Sequence, residues 1–457
     1  MFKTILIANR GEIACRVIRA CHGLGIEAVA IYSQVDRDSR HVQLADRAIC
    51  VGEATNSDSY LNLANVLMAV EISGADGVHP GYGYFSENAR FAEALTGESV
   101  KFIGPSVEAI KAMGDKAKAK KIAISADCPV VPGSAGVVAT EAEATEFASK
   151  IGYPILVKAV AGGGGKGIRR VDAADELSSA WQIARSEAQA SFGNSDMLVE
   201  KWVQEPRHVE VQILGDEHGN MIYLGERECS IQNLRHQKIV EEAPCAVLEA
   251  DTRRRMGEAA VRVAKLADYT NAGTVEFLYD SSGVFYFLEM NTRIQVEHPV
   301  TEEVTGLDLV EWQIRIAAGE KLAIKQADVR LSGHAIEARI TAQDPDNDFA
   351  PSSGKITAWN PPGFGGVRLD TYVGAGCSIS PYYDPMIAKL IVRGRDRAEA
   401  VKRLQVALRE FKVEGITTNI PFLRRLVASD EFVSGDVSTA FVPQFLAESR
   451  EEETVVV

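Results

Sequence analysis

The sequence predicts a multidomain protein of mixed class, with an α/β unit at its start and an α+β unit at its end. Its 457 residues are too many for one ordinary hydrophobic core. Short apolar runs alternate with helical patterns early in the chain, whereas alternating strand patterns dominate later. We place the units at residues 1–114, 115–203 and 204–446, followed by an acidic tail over residues 447–457.

The first unit has the pattern of an open parallel sheet. Residues 4–8 form a short apolar run typical of a buried strand, and a helical pattern over residues 12–23 follows it. This alternation continues to about residue 104 and predicts a Rossmann-like sheet with helices on both faces. The turn at residues 9–12 is not GxGxxG, so a dinucleotide site has little support. Residues 79–84 follow a strand end, where such sheets bind ligands, although an ordinary exposed loop has the same composition.

The second unit is small and contains a glycine-rich segment, AGGGGKG, at residues 161–167. A strand pattern over residues 153–158 precedes it and another over residues 168–171 follows, so the segment is neither a Walker loop nor a Rossmann turn. Bare backbone amides can close over phosphate groups, with Lys158 and Lys166 supplying positive charge. A flexible linker is the alternative, but linkers seldom join two neighbouring antiparallel strands. We therefore predict a phosphate-covering lid.

The third unit is the largest and is rich in strands. Residues 207–215 and 221–229 alternate as an antiparallel pair. A further strand is expected over residues 333–341, which carry Arg339, and the last helical pattern has Asp396 as its expected N-cap. The helical patterns of this unit cover residues 248–266, 307–318 and 396–411.

Two strands of the third unit predict a metal site. The strand over residues 274–279 and the one that begins at residue 284 are joined by a short turn. A symmetric loop pairs Glu276 with Phe287 and makes Glu276 the diagonal neighbour of Glu289 on one face. Two such carboxylates repel each other unless a cation lies between them, and oxygen ligands favour Mg²⁺ or Mn²⁺ over zinc. The alternative is that one glutamate simply faces solvent.

A polar face extends beyond this hairpin. In residues 284–300, VFYFLEMNTRIQVEHPV, polar side chains occupy every second position from Glu289 to Glu297. If the backbone stays extended as far as His298-Pro299, these side chains share one face. An alternating face is often just the wetted side of a strand, but this one is dense in acid–base groups. The face consists of Glu289, Asn291, Arg293, Gln295 and Glu297.

Bulk properties exclude several classes of function. The net charge of −14 argues against nucleic-acid or anionic-membrane partners. No uncharged apolar run reaches membrane-spanning length, and the N-terminus lacks a signal-peptide pattern. The seven cysteines are scattered and never form CxxC, which argues against a disulfide framework or a zinc site. We therefore expect a cytoplasmic protein.

Eight short motifs carry a resemblance to a known family. The chain resembles biotin carboxylase, of the ATP-grasp superfamily, over essentially residues 1–446. The resemblance implies an ATP-grasp lid in the second unit. It also implies a reaction in which ATP and bicarbonate form carboxyphosphate, whose carboxyl group passes to biotin on a carrier protein. The matching motifs lie at residues 8–14, 79–83, 162–167, 226–230, 289–293, 295–299, 333–337 and 381–384.

The resemblance implies a set of nucleotide and metal ligands. By this resemblance, Lys116 and Lys158 would contact the phosphates, while Glu200 and Lys201 would hold the adenine end. The metal ion, Mg²⁺ or Mn²⁺, is bound by Glu276 and Glu289 with help from Asn291. The lid includes Gly163, Gly164, Gly165, Lys166 and Gly167, and the other edges of the nucleotide contact His208, Gln232 and His236.

The resemblance also implies how bicarbonate and biotin are handled. By this resemblance, Glu297 would be the base that deprotonates bicarbonate. Arg339 would stabilise the biotin enolate, with Tyr82 nearby. The groups that hold bicarbonate are Lys238, Arg293, Gln295 and the backbone of Val296.

One departure from the family pattern falls inside the site. Three residues, Asn233, Leu234 and Arg235, separate Gln232 from His236, where the family has two. One extra residue in a strand reverses every later side chain unless a bulge absorbs it. We therefore predict a bulge or widened loop here that returns Lys238 to the site.

The expected partners follow from what the sequence lacks. It contains no Met-Lys-Met biotinyl site and no carboxyltransferase segment, so we expect biotin on a separate carrier protein and a separate carboxyltransferase subunit. The resemblance also implies a homodimer. Acetyl-CoA, another acyl-CoA and pyruvate remain possible final acceptors. Two alternative functions stay open: another ATP-grasp ligase that needs no biotin, and a nucleotide-binding regulatory subunit whose chemistry has decayed.

Overall fold

A five-stranded parallel sheet forms the first part of the chain. The computed structural model describes residues 1–134, 136–160 and 167–455. The sheet has the strand order β3-β2-β1-β4-β5, which confirms the predicted open parallel sheet. Its strands are β1 Thr4–Ile7, β2 Glu27–Ser33, β3 Arg47–Gly52, β4 Gly77–His79 and β5 Lys101–Phe102. Its helices are α1 Gly11–Gly23, α2 Arg40–Leu44, α3 Leu63–Ser73, α4 Ala89–Gly97 and α5 Val107–Gly114.

The central strand β1 explains why this sheet is covered on both faces. Ile5 and Ile7 pack in one hydrophobic cluster, whereas Leu6 and Ala8 pack in another on the opposite face. Successive side chains of a strand point to opposite faces, so a continuous apolar run needs a cover on each side.

A small antiparallel sheet follows, in the order β7-β6-β8. Ile155, Val157 and Ala159 of its central strand are buried beneath two helices, while Leu156 and Lys158 on the other face line a large cleft. The glycine run 161–166 lies between the first two strands and outside the described residues. The elements are α6 Lys116–Ser125, α7 Glu141–Ile151 and α8 Leu177–Phe192, with β6 Ile155–Ala159, β7 Ile168–Val171 and β8 Met197–Lys201.

An eight-stranded antiparallel sheet dominates the rest of the chain, in the order β13-β12-β9-β10-β11-β14-β21-β19. This confirms the predicted antiparallel pairing of the third unit. The strands are β9 Arg207–Gly215, β10 Met221–Gln232, β11 Lys238–Ala243, β12 Asn271–Tyr279, β13 Phe285–Asn291, β14 His334–Thr341, β15 Gln343–Asp344, β16 Ala350–Pro351, β17 Gly354–Lys355, β18 Ala358–Asn360, β19 Val367–Thr371, β20 Ser378–Ile379, β21 Met386–Gly394 and β22 Lys412–Glu414. The helices are α9 Ala250–Leu266, α10 His298–Thr305, α11 Leu309–Ala317, α12 Arg397–Glu410, α13 Ile420–Leu426, α14 Asp430–Ser434 and α15 Phe441–Val455.

The two faces of this sheet differ in chemistry. Val209, Val211 and Ile213 of β9 pack in a hydrophobic cluster with α9. The residues between them are polar and still buried, so each needs a partner inside the protein. The division at residues 114 and 203 stays a prediction, but the face that carries the predicted site is this polar one.

The predicted register of the hairpin β12–β13 was wrong by one residue. Phe277, not Glu276, pairs with Phe287, and a bulge then sets Glu276 directly opposite Glu289. The turn holds five residues because the Asp280 carboxylate accepts hydrogen bonds from the backbone N–H groups of Ser282 and Val284. The two glutamates are therefore closer neighbours than the diagonal pair that we expected.

The predicted extended face also ends early. Strand β13 stops at Asn291 because the next backbone N–H, that of Thr292, donates to the Glu87 side chain rather than to a strand. An irregular segment then leads to Glu297, which directly precedes α10. At the other end of the chain, α15 runs to Val455 through most of the predicted acidic tail, residues 447–457.

Candidate functional site

One cleft gathers nearly all the predicted site residues. It has a volume of about 1270 Å³ and is lined by all three parts of the chain. Gly167 is described but does not line the cleft, and Gly163, Gly164, Gly165 and Lys166 lie outside the described residues. The predicted residues that line it are Tyr82, Lys116, Lys158, Glu200, Lys201, His208, Gln232, His236, Lys238, Glu276, Glu289, Asn291, Arg293, Gln295, Val296, Glu297 and Arg339.

Lys238 occupies the centre of the buried polar face. Its Nζ lies 2.7 Å from Glu210 Oε2, 3.2 Å from Glu276 Oε1 and 2.7 Å from Glu297 Oε1. Burial alone lowers the pKa of this ammonium group, but the three carboxylates raise it well above its ordinary value. Lys238 is therefore a fixed positive charge at neutral pH.

The extra residue before Lys238 is absorbed by a widened loop, as predicted. The pairing of β10 with β11 shifts register near Ile231, and the loop closes through Asn233. The Asn233 backbone N–H donates to the Gln237 carbonyl at 2.8 Å. The Asn233 side-chain oxygen accepts from the backbone N–H groups of Arg235 and Gln237, at 2.9 and 3.0 Å. His236 lies in this loop with a φ of 58° and is exposed.

Glu297 lies between two cations. Its other oxygen, Oε2, accepts from Arg339 at 2.9 Å, so Lys238 and Arg339 hold the two oxygens separately. Burial raises the pKa of Glu297, but Lys238, Arg339 and Arg227 together lower it well below its ordinary value. The side chain is consequently ionised at neutral pH, as a general base must be before it accepts a proton.

The predicted metal ligands are opposed across the hairpin, as the bulge requires. Glu276 accepts from Asn291 Nδ2 at 2.8 Å and from Gln295 Nε2 at 3.0 Å. His208 Nε2 lies 2.9 Å from Glu276 Oε2, a distance suited to an ion pair but with a direction that makes no hydrogen bond. Burial and the charge of Glu276 raise the pKa of Glu289. A divalent cation between the two carboxylates would relieve this repulsion, so the donor set fits Mg²⁺.

A second group of potential ligands lies next to this pair. His208, Glu210 and Glu276 offer ligand atoms within 4.8 Å of one another. The Glu210 carboxylate is already committed, since Arg227 Nε lies 2.5 Å from one oxygen and Lys238 Nζ 2.7 Å from the other. We interpret this group as an ion-pair cluster that supports the metal pair.

The predicted nucleotide residues are joined by ion pairs. The carboxylate of Glu200 contacts Lys158 with one oxygen and Lys120 with the other, the latter at 2.8 Å. Burial raises the pKa of Glu200, but the two lysines lower it below its ordinary value. The ammonium group of Lys201, which also lines the cleft, donates to the carbonyls of Gly152 and Tyr153 and so supports the fold of this region.

Two predicted residues in the cleft have a fixed orientation. Gln232 Nε2 lies 3.0 Å from His208 Nδ1 and donates to the Cys229 carbonyl at 2.9 Å. Arg293 donates to Gln295 Oε1 at 2.7 Å and to Glu87 at 2.9 Å. Because the polar groups of these side chains are paired, their positions are set before any ligand binds.

Residues that sequence reasoning did not identify, most of them buried, hold the last part of the site. Lys389, which is fully buried, donates to the Val296 carbonyl at 2.8 Å and lies 3.1 Å from Glu12. Tyr82 donates its hydroxyl to the same Glu12. The polar residues of β9, at alternate positions, were a usable signal for Glu210, whereas nothing local marks the distant partners. The residues not identified are Glu12, Glu87, Lys120, Glu210, Arg227, Glu241 and Lys389.

Models of known protein families match three long segments of the chain. Its residues 1–110 match the family model of the biotin carboxylase N-terminal domain, and residues 337–444 match that of the biotin carboxylase C-terminal domain. Residues 115–325 match the ATP binding domain of the carbamoyl-phosphate synthase L chain. The biotin carboxylase of Nostoc sp. is 54% identical over 97% of this chain and 99% of its own length. The chain belongs to the biotin carboxylase family.

Other members of the biotin carboxylase family are similarly close. Biotin carboxylase 1 of Bacillus subtilis is 51% identical, with 97% of this chain and 99% of that protein covered. The human mitochondrial propionyl-CoA carboxylase alpha chain is 52% identical over 96% of this chain, which matches 61% of that longer protein.

Solved structures agree with this assignment. The biotin carboxylase domain dimer of Hydrogenobacter thermophilus 2-oxoglutarate carboxylase, in complex with MgADP, ADP and bicarbonate, superposes with a TM-score of 0.93 and 47% identity, covering 97% of this chain and 98% of that one. The Campylobacter jejuni biotin carboxylase–βγ-ATP complex superposes with a TM-score of 0.94 and 45% identity. The match covers 97% of this chain and 99% of that one. Within the described residues, no helix combines the length and apolar character that a membrane span requires.

We predict that Asn233 is the structural centre of the widened loop. The Asn233→Ala change leaves two backbone N–H groups without their acceptor and should lower the unfolding free energy by about 1–3 kcal/mol. Leu234→Ala is the matched control, because Leu234 is 48% exposed and its truncation should cost no more than about 0.5 kcal/mol. Thermal and denaturant unfolding of the two variants would check this. Equal losses would show that Asn233 does not organise the loop.

Proposed function

We propose that this chain is the ATP-dependent biotin carboxylase of a biotin-dependent carboxylase. It uses ATP and bicarbonate to carboxylate biotin on a carrier protein, giving carboxybiotin, ADP and phosphate. One observation carries the proposal. The buried carboxylate of Glu297 lies between Lys238 and Arg339, and Lys238 in turn reaches Glu276 of the carboxylate pair that fits Mg²⁺.

The nucleotide would bind along the cleft between the small sheet and the large one. Lys116 and Lys158 would contact its phosphates, with Glu200 orienting Lys158, and the glycine-rich lid would close over them. Glu276, Glu289 and Asn291 would hold Mg²⁺ or Mn²⁺. The ion neutralises charge that develops on the phosphates during phosphoryl transfer.

Bicarbonate would bind beside Glu297. Lys238, Arg293, Gln295 and the Val296 backbone N–H would hold the anion. Bicarbonate is a poor nucleophile, so Glu297 would accept its proton as a bicarbonate oxygen attacks the γ-phosphorus. The new bond joins that bicarbonate oxygen to the γ-phosphorus, the bond from this phosphorus to the ADP oxygen breaks, and carboxyphosphate and ADP form.

Biotin would bind at the end of the cleft that contains Arg339. The planar guanidinium group suits an enolate oxygen better than a lysine does, because it can donate two parallel hydrogen bonds. Tyr82 would flank this position. Carboxyphosphate hydrolyses readily in water, so closure of the lid would protect it until the carboxyl group reaches the ureido nitrogen.

The assembly is also part of the proposal. We infer that biotin arrives on a biotin carboxyl carrier protein and that a carboxyltransferase subunit uses the carboxybiotin, in the cytoplasm. A homodimer is supported by the domain dimer of the Hydrogenobacter thermophilus protein. Relatives that are named propionyl-CoA and methylcrotonoyl-CoA carboxylases are about equally similar to this chain, so acetyl-CoA, other acyl-CoA esters and pyruvate all stay open as acceptors.

A second ATP-grasp activity has one observation in its favour. Residues 115–325 match a domain that is also used by carbamoyl-phosphate synthase, which needs no biotin. Arg339 lies outside that region and points into the same cleft, which favours the biotin reaction. A decayed regulatory subunit is disfavoured, because Glu276, Glu289, Glu297 and Lys238 are all present in the cleft.

We predict that Glu297→Ala abolishes turnover. Wild-type protein should hydrolyse ATP in a bicarbonate-dependent way that free biotin stimulates, and the variant should lose about 10²–10⁴-fold because a general base is removed. Phosphate release with and without bicarbonate and biotin is the measurement. Glu258→Ala, on the exposed face of α9, is the control and should keep wild-type rates. Turnover by Glu297→Ala at the control rate would refute the assignment of the base.

We predict opposite effects of Glu289→Gln on the free and the liganded protein. The raised pKa of Glu289 means that its charge is unfavourable in the folded state. The variant should therefore stabilise free protein by about 0.5–1 kcal/mol at neutral pH, a gain that vanishes as acidification protonates Glu289 in the wild type. Conversely, the extra thermal stabilisation that MgADP gives over ADP alone should shrink. An unchanged MgADP effect would place the metal elsewhere.

A further inference from the structure

A pair of opposed glutamates lies behind Arg339, away from the bicarbonate groups described above. Glu241 of β11 and Glu337 of β14 are directly paired across the sheet. Directly opposed residues have Cβ atoms about 4.5–5.5 Å apart, so their side chains are immediate neighbours on one face. Both residues are fully or almost fully buried, at 1% and 0% exposure. Two buried carboxyl groups at this separation cannot both carry a charge without strong compensation.

Three of the four carboxylate oxygens of this pair have no hydrogen-bond partner among the described residues. Glu241 Oε1 accepts from Arg339 Nε at 2.6 Å, but Glu241 Oε2 has no partner among the described residues. Neither oxygen of Glu337 has one. Buried polar atoms are nearly always paired, so three unpartnered oxygens in one place call for an explanation. A proton on Glu337 accounts for two of them, because a neutral acid can donate to the free oxygen of Glu241.

The surrounding charges indicate which carboxyl group holds the proton. Arg339 contacts Glu241 directly, whereas Lys389, the cation with the largest effect on the pKa of Glu337, is bound to Glu12 and to the Val296 carbonyl. Burial raises the pKa of Glu337 well above its ordinary value, and burial together with the charge of Glu297 raises that of Glu241 to about 7, against the effect of Arg339. The charged and titratable groups that face the pair from neighbouring elements are Lys238, Arg339, Lys389, Glu297 and Cys229.

We propose that Glu337 is a neutral carboxylic acid that holds the one proton it shares with Glu241, and that the ionised Glu241 is a positioning residue for Arg339. This inference rests on the proposed function, in which Arg339 acts on biotin. Arg339 is shared between Glu241 and Glu297. When Glu297 accepts the bicarbonate proton it loses its charge, and Glu241 is then the carboxylate that keeps the guanidinium group in place. Without the proton on Glu337, repulsion between the pair would weaken that hold.

Isosteric glutamines separate the two roles. Glu337→Gln replaces a neutral acid by a neutral amide and should keep biotin-dependent turnover within about twofold of wild type. Glu241→Gln removes the charge that orients Arg339, and biotin-dependent turnover should fall about 100-fold, as expected when a catalytic group is displaced. Biotin-independent, bicarbonate-dependent ATP hydrolysis should change far less in Glu241→Gln. Glu241→Asp should recover part of the loss.

The pH dependence of turnover and the infrared spectrum test the proposal, because neither would change as described if the two glutamates had only a structural role. In wild type and Glu337→Gln, biotin-dependent turnover should fall as pH drops through about 7, because Glu241 becomes neutral there. That titration should be absent from Glu241→Gln. An infrared band of a buried protonated carboxyl group should persist at neutral pH and disappear in Glu337→Gln.

The inference would be overturned if Glu337→Gln and Glu241→Gln lost biotin-dependent turnover equally. It would also be overturned if Glu241→Gln lost biotin-independent ATP hydrolysis as much as biotin-dependent turnover, or if wild type lacked the infrared band. If Glu241→Gln fails to fold, the infrared comparison of wild type with Glu337→Gln still decides. Failure of the proposed function looks different, since wild type itself would then show no biotin-stimulated hydrolysis, while the infrared test of the shared proton would still apply.

Discussion

The site depends on the largely buried ammonium group of Lys238, whose side chain is 14% exposed. Lys238 Nζ reaches carboxylates on β9, on β12 and at the start of α10, so a single positive charge joins three separate elements. Removing one member of a buried ion pair typically costs about 3–5 kcal/mol, because the remaining charge is left without a partner. The polar face of the large sheet is therefore a network in which no charge can move alone. That constraint keeps the predicted base, metal ligands and anion-binding groups in one geometry before any ligand arrives.

The sequence could predict those parts of the site that are marked by local alternation of polar and apolar residues. Alternation of polar and apolar residues marks the hairpin, so the proximity of Glu276 and Glu289 followed from the pattern even though the register was wrong by one residue. The register was wrong because the turn holds five residues, stabilised by hydrogen bonds from its backbone N–H groups to the Asp280 side chain. The parallel and antiparallel sheets followed from local periodicity for the same reason. The roles of individual residues came from the family resemblance and not from the pattern.

The partners that hold the site in place could not be predicted. Glu87 supports Thr292 and Arg293 from more than 200 positions away, and Lys389 supports Val296 from 93. Each is an ordinary charged residue in its own segment, and its importance arises only from the tertiary fold. The end of β13 at Asn291 could not be predicted either, because it results from a hydrogen bond between the Thr292 backbone N–H and the distant Glu87. Local sequence determines what a residue can do, whereas the fold determines which distant group it meets.

An acidic protein that binds two anionic substrates needs its positive charge concentrated and held ready. The net charge of −14 repels anions at long range, so attraction must come from lysines and arginines inside the cleft. These cations do not stand alone: Lys158 is paired with Glu200, and Lys238 with three glutamates. Such pairing keeps each cation charged and oriented. Lys158 keeps donors for a phosphate oxygen, whereas all three N–H donors of Lys238 meet a carboxylate, so bicarbonate would replace one of these acceptors. The carboxylates that make the protein acidic are thus the groups that preorganise its cations, and for this reason the abundance of acid and the affinity for anions do not conflict.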